Sequence, residues 1–321
     1  MEFETVTRQA RAVKENIEKV IIGKGKEIEQ VLTVLLAGGN ILLEDVPGTG
    51  KTMLSKSLAK SIQGVFCRIQ FTADLLPSDV TGLHFYNQKT GDFVLQKGPV
   101  FSNILLADEI NRATPRTQSS LLECMEEKQV TIDGETLILD KPFFVIATEN
   151  PVETMGTFPL PEAQLDRFMM KISVGLPDLE EEKVLVERFL AGNPYETLKS
   201  VITTQELLEM QEKVKEVFVC DDVKDYILKV IFATRNHRRI RIGVSPRGTL
   251  AFLRALQAYS LIQGRDFVLP EDVKYLAPFV LEHRLIMVGN YGSQGDKTGV
   301  ISEILTEIPV PTEDFLEKKR V

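Results

Sequence analysis

Apolar residues along this chain follow two patterns that divide it near Pro177. Before Pro177, short apolar runs alternate with stretches in which apolar residues recur every three or four positions. Such runs are typical of buried parallel strands, and the three-to-four spacing is typical of amphipathic helices. After Pro177, nearly the whole chain has the helical spacing. The pattern therefore predicts an α/β core over residues 1–177 and a helical domain over residues 178–321.

Three apolar runs define the predicted sheet, and an amphipathic helix precedes it. The runs are Ile41–Leu43, Ile104–Ala107 and the segment FFVIA that ends shortly before Asn150. The preceding helix is closed by Gly38-Gly39 and has one apolar side, formed by Ile28, Val31, Leu32, Leu35 and Leu36.

Two further segments of the core predict β-hairpins. Residues 81–102 alternate about a Lys-Thr-Gly-Asp turn, and residues 129–140 have Asp133-Gly134 at their centre. Hairpins that protrude from the core would suit the gripping of a client protein, but each also fits a plain surface excursion.

Composition and charge narrow the class of protein. The chain has 321 residues, of which 43% are hydrophobic, enough for two domains with a sizeable core. No apolar run approaches the roughly 20 residues that span a bilayer, and the N-terminal residues have no apolar leader pattern. We therefore expect a soluble, cytoplasmic protein. Its 3 cysteines are far apart in the sequence, which suggests neither a disulfide framework nor a metal knuckle.

The net charge of −8 argues weakly against general nucleic-acid binding. One basic segment departs from this balance: residues 234–248 read TRNHRRIRIGVSPRG and contain Arg235, Arg238, Arg239, Arg241 and Arg247. Such a run is most often a solvated face beside a turn, although a local basic patch can bind nucleic acid.

The segment PGTGKT, residues 47–52, has the composition of a phosphate-binding loop. It lies between the first apolar run and a stretch with helical spacing. Glycines there would let successive backbone N–H groups converge on an anion at a helix N-terminus. Lys51 could then reach the β- and γ-phosphates of a nucleotide, and the Thr52 hydroxyl could bind Mg²⁺. The alternative is a glycine-rich turn with a structural lysine.

Asp45 departs from the usual pattern of such loops, because it stands where the first glycine is normally found. A carboxylate among phosphates would repel them. We therefore expect the side chain of Asp45 to point out of the loop.

Polar residues end the other two apolar runs. Asp108 and Glu109 follow Ile104–Ala107, and Asn150 follows the FFVIA run. Because ligands of open α/β sheets bind at the carboxyl ends of the strands, we expect Lys51, Asp108 and Asn150 to converge. One carboxylate could hold a water on Mg²⁺, and the other could orient or activate the water that attacks the γ-phosphate. Taken singly, these residues would only solvate a strand end or begin a turn.

Five motifs in this order resemble those of the AAA+ ATPases, most closely the MoxR branch: VPGTGKT, LLADEINRA, IATENP, LPEAQLDRF and GVSPRG. The resemblance covers nearly the full chain. It implies an α/β fold with an AAA+ P-loop core, in which a parallel five-stranded sheet lies between helices, and a C-terminal all-helical lid domain. The two hairpins resemble the helix-2 insert and pre-sensor-1 hairpin of the clade that includes MoxR proteins, magnesium-chelatase ATPase subunits and MCM helicases.

The resemblance also implies roles for individual residues. Lys51 and Thr52 match the Walker A pair, Asp108 and Glu109 match Walker B, and Asn150 matches sensor 1. The implied catalytic residues are Lys51, Glu109, Asn150, Arg167 and Arg247. The implied ATP contacts are Ile22, Gly23, Pro47, Gly48, Thr49, Gly50, Lys51, Thr52 and Met53, and the implied Mg²⁺ ligands are Thr52 and Asp108.

Three of these assignments concern the edges of the site. Arg167 stands where the family has an arginine finger that reaches a neighbouring subunit's nucleotide, although a local salt bridge to Asp166 or another acid is the alternative. Arg247 matches sensor 2, on a helix of the lid. The segment Val20–Gly23 resembles the adenine pocket, and core packing explains it nearly as well.

By this resemblance the protein is a Mg²⁺-dependent ATPase that forms a homo-oligomeric ring, most simply a hexamer. It would remodel a client protein, or help to assemble or metallate another complex, together with a partner that bears a von Willebrand factor A domain. Two alternatives remain open. One is a DNA-translocating motor of the MCM or RuvB type, favoured by the hairpins and the arginines; the other is a nucleotide-gated scaffold that does not hydrolyse ATP.

Overall fold

The computed structural model describes residues 1–151, 156–289 and 294–311. The helices are α1 Phe3–Glu18, α2 Gly25–Leu36, α3 Lys51–Ser61, α4 Pro77–Thr81, α5 Pro115–Glu127, α6 Glu162–Leu165, α7 Leu179–Ala191, α8 Pro194–Thr197, α9 Thr204–Val214, α10 Asp221–Asn236, α11 Pro246–Ile262, α12 Pro270–Leu281 and α13 Gln294–Glu307. The strands are β1 Ile41–Glu44, β2 Phe66–Gln70, β3 Gly82–Asn87, β4 Asp92–Lys97, β5 Ile104–Asp108, β6 Gln129–Ile132, β7 Glu135–Ile138, β8 Phe144–Glu149, β9 Met170–Ile172, β10 Ile240–Ile242 and β11 Ile286–Met287. Within these described ranges, no helix has the length and apolarity needed to cross a membrane.

A five-stranded parallel sheet in the order β2-β5-β8-β1-β9 forms the centre of the core, as the sequence predicts. The three predicted runs are its inner strands β5, β8 and β1, which are almost wholly buried. A buried strand can be apolar on both faces, which explains why these runs do not alternate.

Helices cover both faces of the sheet. Successive residues of a strand point to opposite faces, so Leu43 packs into one apolar cluster and Leu42 into the other. The Leu43 cluster contains the apolar sides of α1, α2 and α3, and the Leu42 cluster contains that of α5. The sheet therefore lies between helices, as expected.

The first helix, α1, was not predicted. Its buried side consists of Val6, Ala10, Val13 and Ile17, at helical spacing, together with Asn16. The charged residues between them obscured the pattern when the N-terminus was examined only for a leader.

Both predicted hairpins are present. Strand β3 pairs with β4 and β6 pairs with β7, each antiparallel. At the β6–β7 turn, Asp133 and Gly134 have φ of +50° and +87°, the two positive values of a type I′ turn. His84 of β3 contacts Asp133, with 2.9 Å between Nδ1 and Oδ2, so the two hairpins touch.

The C-terminal half is helical, with one addition to the prediction: β10 and β11 form a short antiparallel pair. Helices α9 to α12 contribute to the same apolar cluster as α1 and α2, so this half packs directly on the core. The domain boundary at Pro177 remains a prediction.

Candidate nucleotide site

The phosphate-binding loop connects β1 to α3. Gly48 and Gly50 have φ of +90° and +86°, a conformation that glycine adopts without strain. Helix α3 begins at Lys51 with no side-chain cap on its N-terminus. The Lys51 Nζ donates to the carbonyl oxygens of Asp45 and Val46, at 3.0 and 3.3 Å. The uncapped first turn leaves backbone N–H groups that can donate to a phosphate.

The carboxylate of Asp45 points out of the loop, as expected. It is 4% exposed and accepts three hydrogen bonds from the segment after β9. The donors are the Ser173 hydroxyl at 2.6 Å and the backbone N–H groups of Val174 and Gly175 at 2.8 and 2.9 Å. Asp45 therefore ties the loop to the chain that leads into the helical half.

Asp108 and Glu109 point in different directions from the end of β5. Asp108 accepts from the Thr148 hydroxyl at 2.7 Å and from Arg68 at 2.7 Å. Glu109 accepts from Gln70 Nε2 at 2.7 Å and pairs with Arg112 at 3.0 Å.

The backbone of Glu109 is held in an unusual conformation. Its φ is +55°, in the left-handed region that non-glycine residues seldom adopt, and its N–H donates to the Thr148 hydroxyl at 2.9 Å. Such conformations persist where surrounding contacts enforce them, and they are frequent in functional sites.

Asn150 is buried directly after β8. Since β8 lies between β5 and β1, Asn150 leaves the sheet between the acidic pair and the phosphate-binding loop. The sheet thus brings the ends of the three predicted strands together at one edge.

A cavity of about 310 Å³ lies beside the loop. Its lining includes Val20, Ile21 and Ile22, from the predicted adenine segment, and residues of α7. Of the predicted ATP contacts, those that line the cavity are Ile22, Gly48, Thr49, Gly50 and Met53, whereas Gly23, Pro47, Lys51 and Thr52 are their neighbours in the chain.

Helix α7 is an unpredicted part of this site. It contributes Glu181, Leu185, Arg188 and Phe189 to the cavity wall, although none of its 13 residues is buried. Gly23 has a φ of +74°, which glycine adopts without strain, and its lack of a side chain leaves room for the Glu181 side chain to approach it closely.

The residues present fit a nucleotide triphosphate with Mg²⁺. The uncapped turn and Lys51 supply donors for phosphates, and aliphatic side chains supply an apolar wall suited to a base. Thr52 and Asp108 have oxygen atoms of the type that Mg²⁺ prefers and would be its ligands, although the Asp108 carboxylate here accepts from Arg68 and Thr148. The Thr52 hydroxyl makes no hydrogen bond to another described residue.

Arg167 and Arg247 lie together, outside the cavity lining. The Arg167 Nε donates to Glu126 Oε2 at 2.8 Å, and the Arg247 Nη2 donates to Glu126 Oε1. The local acid that Arg167 contacts is therefore Glu126 of α5. The other suggested partner, Asp166, instead pairs with the buried Arg284 at 2.8 Å and accepts from the Ser245 hydroxyl at 2.9 Å.

Sequence reasoning missed the residues that hold the site together. Arg68 and Gln70 both lie on β2, and they contact Asp108 and Glu109 respectively. Their separation by two residues indicates one face of a strand, but nothing local shows that β2 is the neighbour of β5. Arg284 had no signal beyond being a charge in an apolar stretch.

The fold, and the polar residues at this edge of the sheet, define the class of P-loop ATPases with a helical lid. Comparison with known proteins identifies the family. The family model "ATPase family associated with various cellular activities (AAA)" matches residues 40–170, and the model "AAA lid domain" matches residues 232–308.

Sequence comparison with known proteins shows to which family of AAA+ ATPases the chain belongs. The chain is 41% identical to Chaperone MoxR1 of Mycobacterium tuberculosis (strain ATCC 25618 / H37Rv), over 94% of this chain and 82% of that protein. It is 29% identical to Protein MoxR of Paracoccus denitrificans, over 91% and 93% of the two chains. A crystal structure from Cytophaga hutchinsonii, described as a candidate ATPase, superposes with a TM-score of 0.89 at 40% identity and covers 96% of each chain. The chain belongs to the MoxR family of AAA+ ATPases.

Proposed function

We propose that this protein hydrolyses ATP with Mg²⁺ and acts, as a homo-oligomeric ring, in the remodelling or assembly of a client protein. The observation that carries the proposal is the single sheet edge at which the phosphate-binding loop, Asp108-Glu109 and Asn150 meet beside the 310 Å³ cavity. Each of these groups suits a different task in phosphoryl transfer.

The division of labour follows from position. Lys51 and the first turn of α3 bind the phosphates, and Thr52 and Asp108 hold Mg²⁺, which supplies charge neutralisation when bound. Glu109 orients the attacking water and accepts its proton, because its backbone is fixed by Thr148 and its carboxylate by Gln70. Asn150 positions the same water and a γ-phosphate oxygen.

The location of Arg167 supports catalysis across a subunit boundary. It pairs with Glu126 on the protein surface and is not part of the cavity lining, so its guanidinium suits the nucleotide of an adjacent copy. Arg247 lies beside it and would act in the same direction. A ring, which we take to be a hexamer, satisfies this requirement for every subunit.

Two observations support a protein client in preference to DNA. Tyr86 and Phe93, paired on the β3–β4 hairpin, are 55% and 73% exposed and offer an aromatic contact surface. In the basic segment, Arg235 donates to the Val244 carbonyl and Arg239 donates to Glu303. These arginines are partly neutralised or structurally engaged, which weakens the case for a nucleic-acid surface.

The name of the relative MoxR1, a chaperone, agrees with a client that is a protein. We further propose a partner with a von Willebrand factor A domain, from the family resemblance, and a cytoplasmic location, from the composition and cysteine usage of the chain. The metal-insertion variant of the function remains part of this proposal.

Paired variants test the assignment. Lys51→Ala removes the charge that binds the phosphates and should abolish nucleotide binding, whereas Glu109→Gln should retain binding and stop hydrolysis. Binding is measured with a fluorescent ATP analogue and hydrolysis by phosphate release, with and without Mg²⁺. Glu127→Gln, an exposed change on α5, is the control. Hydrolysis by Glu109→Gln at the parent rate would contradict the role of Glu109, and undetectable turnover by the parent would favour the scaffold alternative.

A further inference from the structure

Glu126 joins two arginines that are 80 positions apart in the sequence, Arg167 and Arg247. Its Oε2 accepts from Arg167 Nε and its Oε1 accepts from Arg247 Nη2, so each carboxylate oxygen holds one guanidinium. Glu126 lies in the last turn of α5, where the partial negative charge of the helix end also favours cations. No sequence motif of the family resemblance includes this residue.

The Glu126 carboxylate reduces the repulsion between the two arginine side chains. Two guanidinium groups placed side by side repel each other, and a carboxylate between them offsets that repulsion. The Arg167 guanidinium lowers the pKa of Glu126 below its usual value, mainly through its hydrogen bond. Glu126 therefore stays ionised at neutral pH, and the three groups together carry a net positive charge.

Each arginine keeps donors for a further acceptor. Glu126 takes only the Nε of Arg167 and one Nη of Arg247, and the described residues show no other acceptor for either side chain. The planar fork of Arg167 is therefore available for bidentate contact with an anion such as a phosphate.

The backbone on both sides is fixed independently of Glu126. Asp166 accepts from the Ser245 hydroxyl, which also caps the N-terminus of α11 two residues before Arg247. Arg284 donates to the Asp166 carboxylate and to the Phe168 carbonyl, at 2.8 and 2.7 Å. The two arginine backbones thus have a fixed spacing, and only their long side chains need a further anchor.

We propose that Glu126 is a positioning residue that presents Arg167 and Arg247 together, as one cationic surface, to the triphosphate bound by a second copy of this chain. This inference rests on the proposed function, since it requires an arginine that acts across a subunit boundary. An exposed ion pair is worth only about 0.2–1 kcal/mol, so a phosphate can compete for the same donors without a large energetic cost. Glu126 therefore aligns the side chains before the phosphate engages them.

A mixing experiment isolates this role. Arg167→Ala subunits, which have a complete nucleotide site but no finger, are combined with an excess of Lys51→Ala subunits, which cannot bind ATP but retain the finger. The excess subunit is prepared in three forms: Lys51→Ala alone, with Glu126→Gln, and with Glu127→Gln as the matched control. Hydrolysis then occurs only on subunits whose own Glu126 is intact.

We expect Lys51→Ala alone and the Glu127→Gln form to restore hydrolysis equally. The Glu126→Gln form should restore a hydrolysis rate at least about tenfold lower, because a small displacement of a catalytic group can cost up to about 10²-fold in rate. The loss should appear in kcat, with KM for ATP unchanged. Native mass spectrometry measures incorporation into mixed oligomers, and melting temperatures verify that each form is folded.

The outcomes separate the two ideas. Equal rescue by the Glu126→Gln form would overturn the role of Glu126 and leave the trans finger in place. No rescue by Lys51→Ala alone, in oligomers shown to be mixed, would overturn the trans finger and this inference with it. A higher KM with unchanged kcat would also contradict positioning.

Discussion

The buried carboxylate of Asp45 is predicted to be essential for the stability of the phosphate-binding loop. Asp45 Oδ1 accepts from the Ser173 hydroxyl and the Gly175 N–H, and Oδ2 accepts from the Val174 N–H. Replacement by alanine removes both acceptor oxygens, so all three hydrogen bonds are lost and two backbone N–H groups are left without their partners. Replacement by asparagine keeps the size of the side chain and changes only the hydrogen-bonding pattern.

The magnitudes follow from those contacts. Each orphaned buried donor costs about 1–3 kcal/mol, so Asp45→Ala should lower the free energy of unfolding by roughly 2–6 kcal/mol. Asparagine has one acceptor oxygen, and in either orientation of its amide an NH₂ group faces a backbone N–H. Asp45→Asn should therefore cost about 1–3 kcal/mol. Ser173→Ala removes one hydroxyl donor and leaves the two backbone donors of Asp45 in place, so it should lower the free energy of unfolding by only about 1 kcal/mol.

Urea denaturation of the three variants gives these differences directly, provided that the transition is cooperative. Because the Asp45 carbonyl also accepts from Lys51 Nζ, we expect weaker ATP binding in the order Asp45→Ala, Asp45→Asn, Ser173→Ala. An Asp45→Asn variant as stable as the parent, within about 0.5 kcal/mol, would refute the reasoning, because no orientation of the amide satisfies both N–H groups.

Two other predictions concern buried charges near the site. Burial, with a smaller contribution from Glu44, raises the pKa of Glu149 from 4.5 to about 6. The folded state therefore prefers the protonated carboxyl, and the free energy of unfolding decreases as the pH rises from 4.5 through 6. This decrease amounts to about 2 kcal/mol. Glu149→Gln cannot ionise, so in urea titrations its stability relative to the parent should increase between about pH 5 and about pH 7.5. A difference between the two proteins that does not depend on pH would contradict this. Arg284→Met removes the ion-pair partner of Asp166 and should lower the free energy of unfolding by about 3–5 kcal/mol in the same assay. Arg284→Lys should not restore this stability, because one ammonium cannot replace the planar guanidinium. A loss under about 1 kcal/mol would show that the buried pair contributes little.

The parts of the site that sequence reasoning predicted are those made by consecutive residues. A buried run followed by PGTGKT, or by Asp108-Glu109, places polar groups at the end of a parallel strand whatever the rest of the chain does. The same logic gave the direction of Asp45, because phosphates exclude a carboxylate from the loop. It also gave the β6–β7 turn, since Asp133-Gly134 tolerates two positive φ values.

The residues that sequence reasoning missed act across long separations. Gln70 reaches Glu109 only because β2 is placed beside β5, and sheet order is set by global packing. Helix α7 was assigned to the lid by its periodicity, yet it lies at the cavity through contacts with residues distant in the sequence, where Glu181 lies close to Gly23 and Arg188 donates to the Glu18 and Lys19 carbonyls. The apolar residues of α7, among them Leu185 and Phe189, are exposed, so its helical pattern alone did not indicate what the helix covers.

The contacts around Asp166 connect Arg167, the proposed finger, to the helical lid. Arg284 is 6% exposed, and its Asp166 and Phe168 contacts bracket Arg167 in the sequence. Ser245 adds a second link from the lid to Asp166, at the start of the helix that carries Arg247. A rotation of the lid would therefore move Arg247 directly and would act on the segment that carries Arg167 through these contacts. Because Glu126 belongs to core helix α5, such a rotation would strain its ion pair with Arg247. We therefore expect the nucleotide state of one subunit to alter how the two arginines are presented to the next subunit.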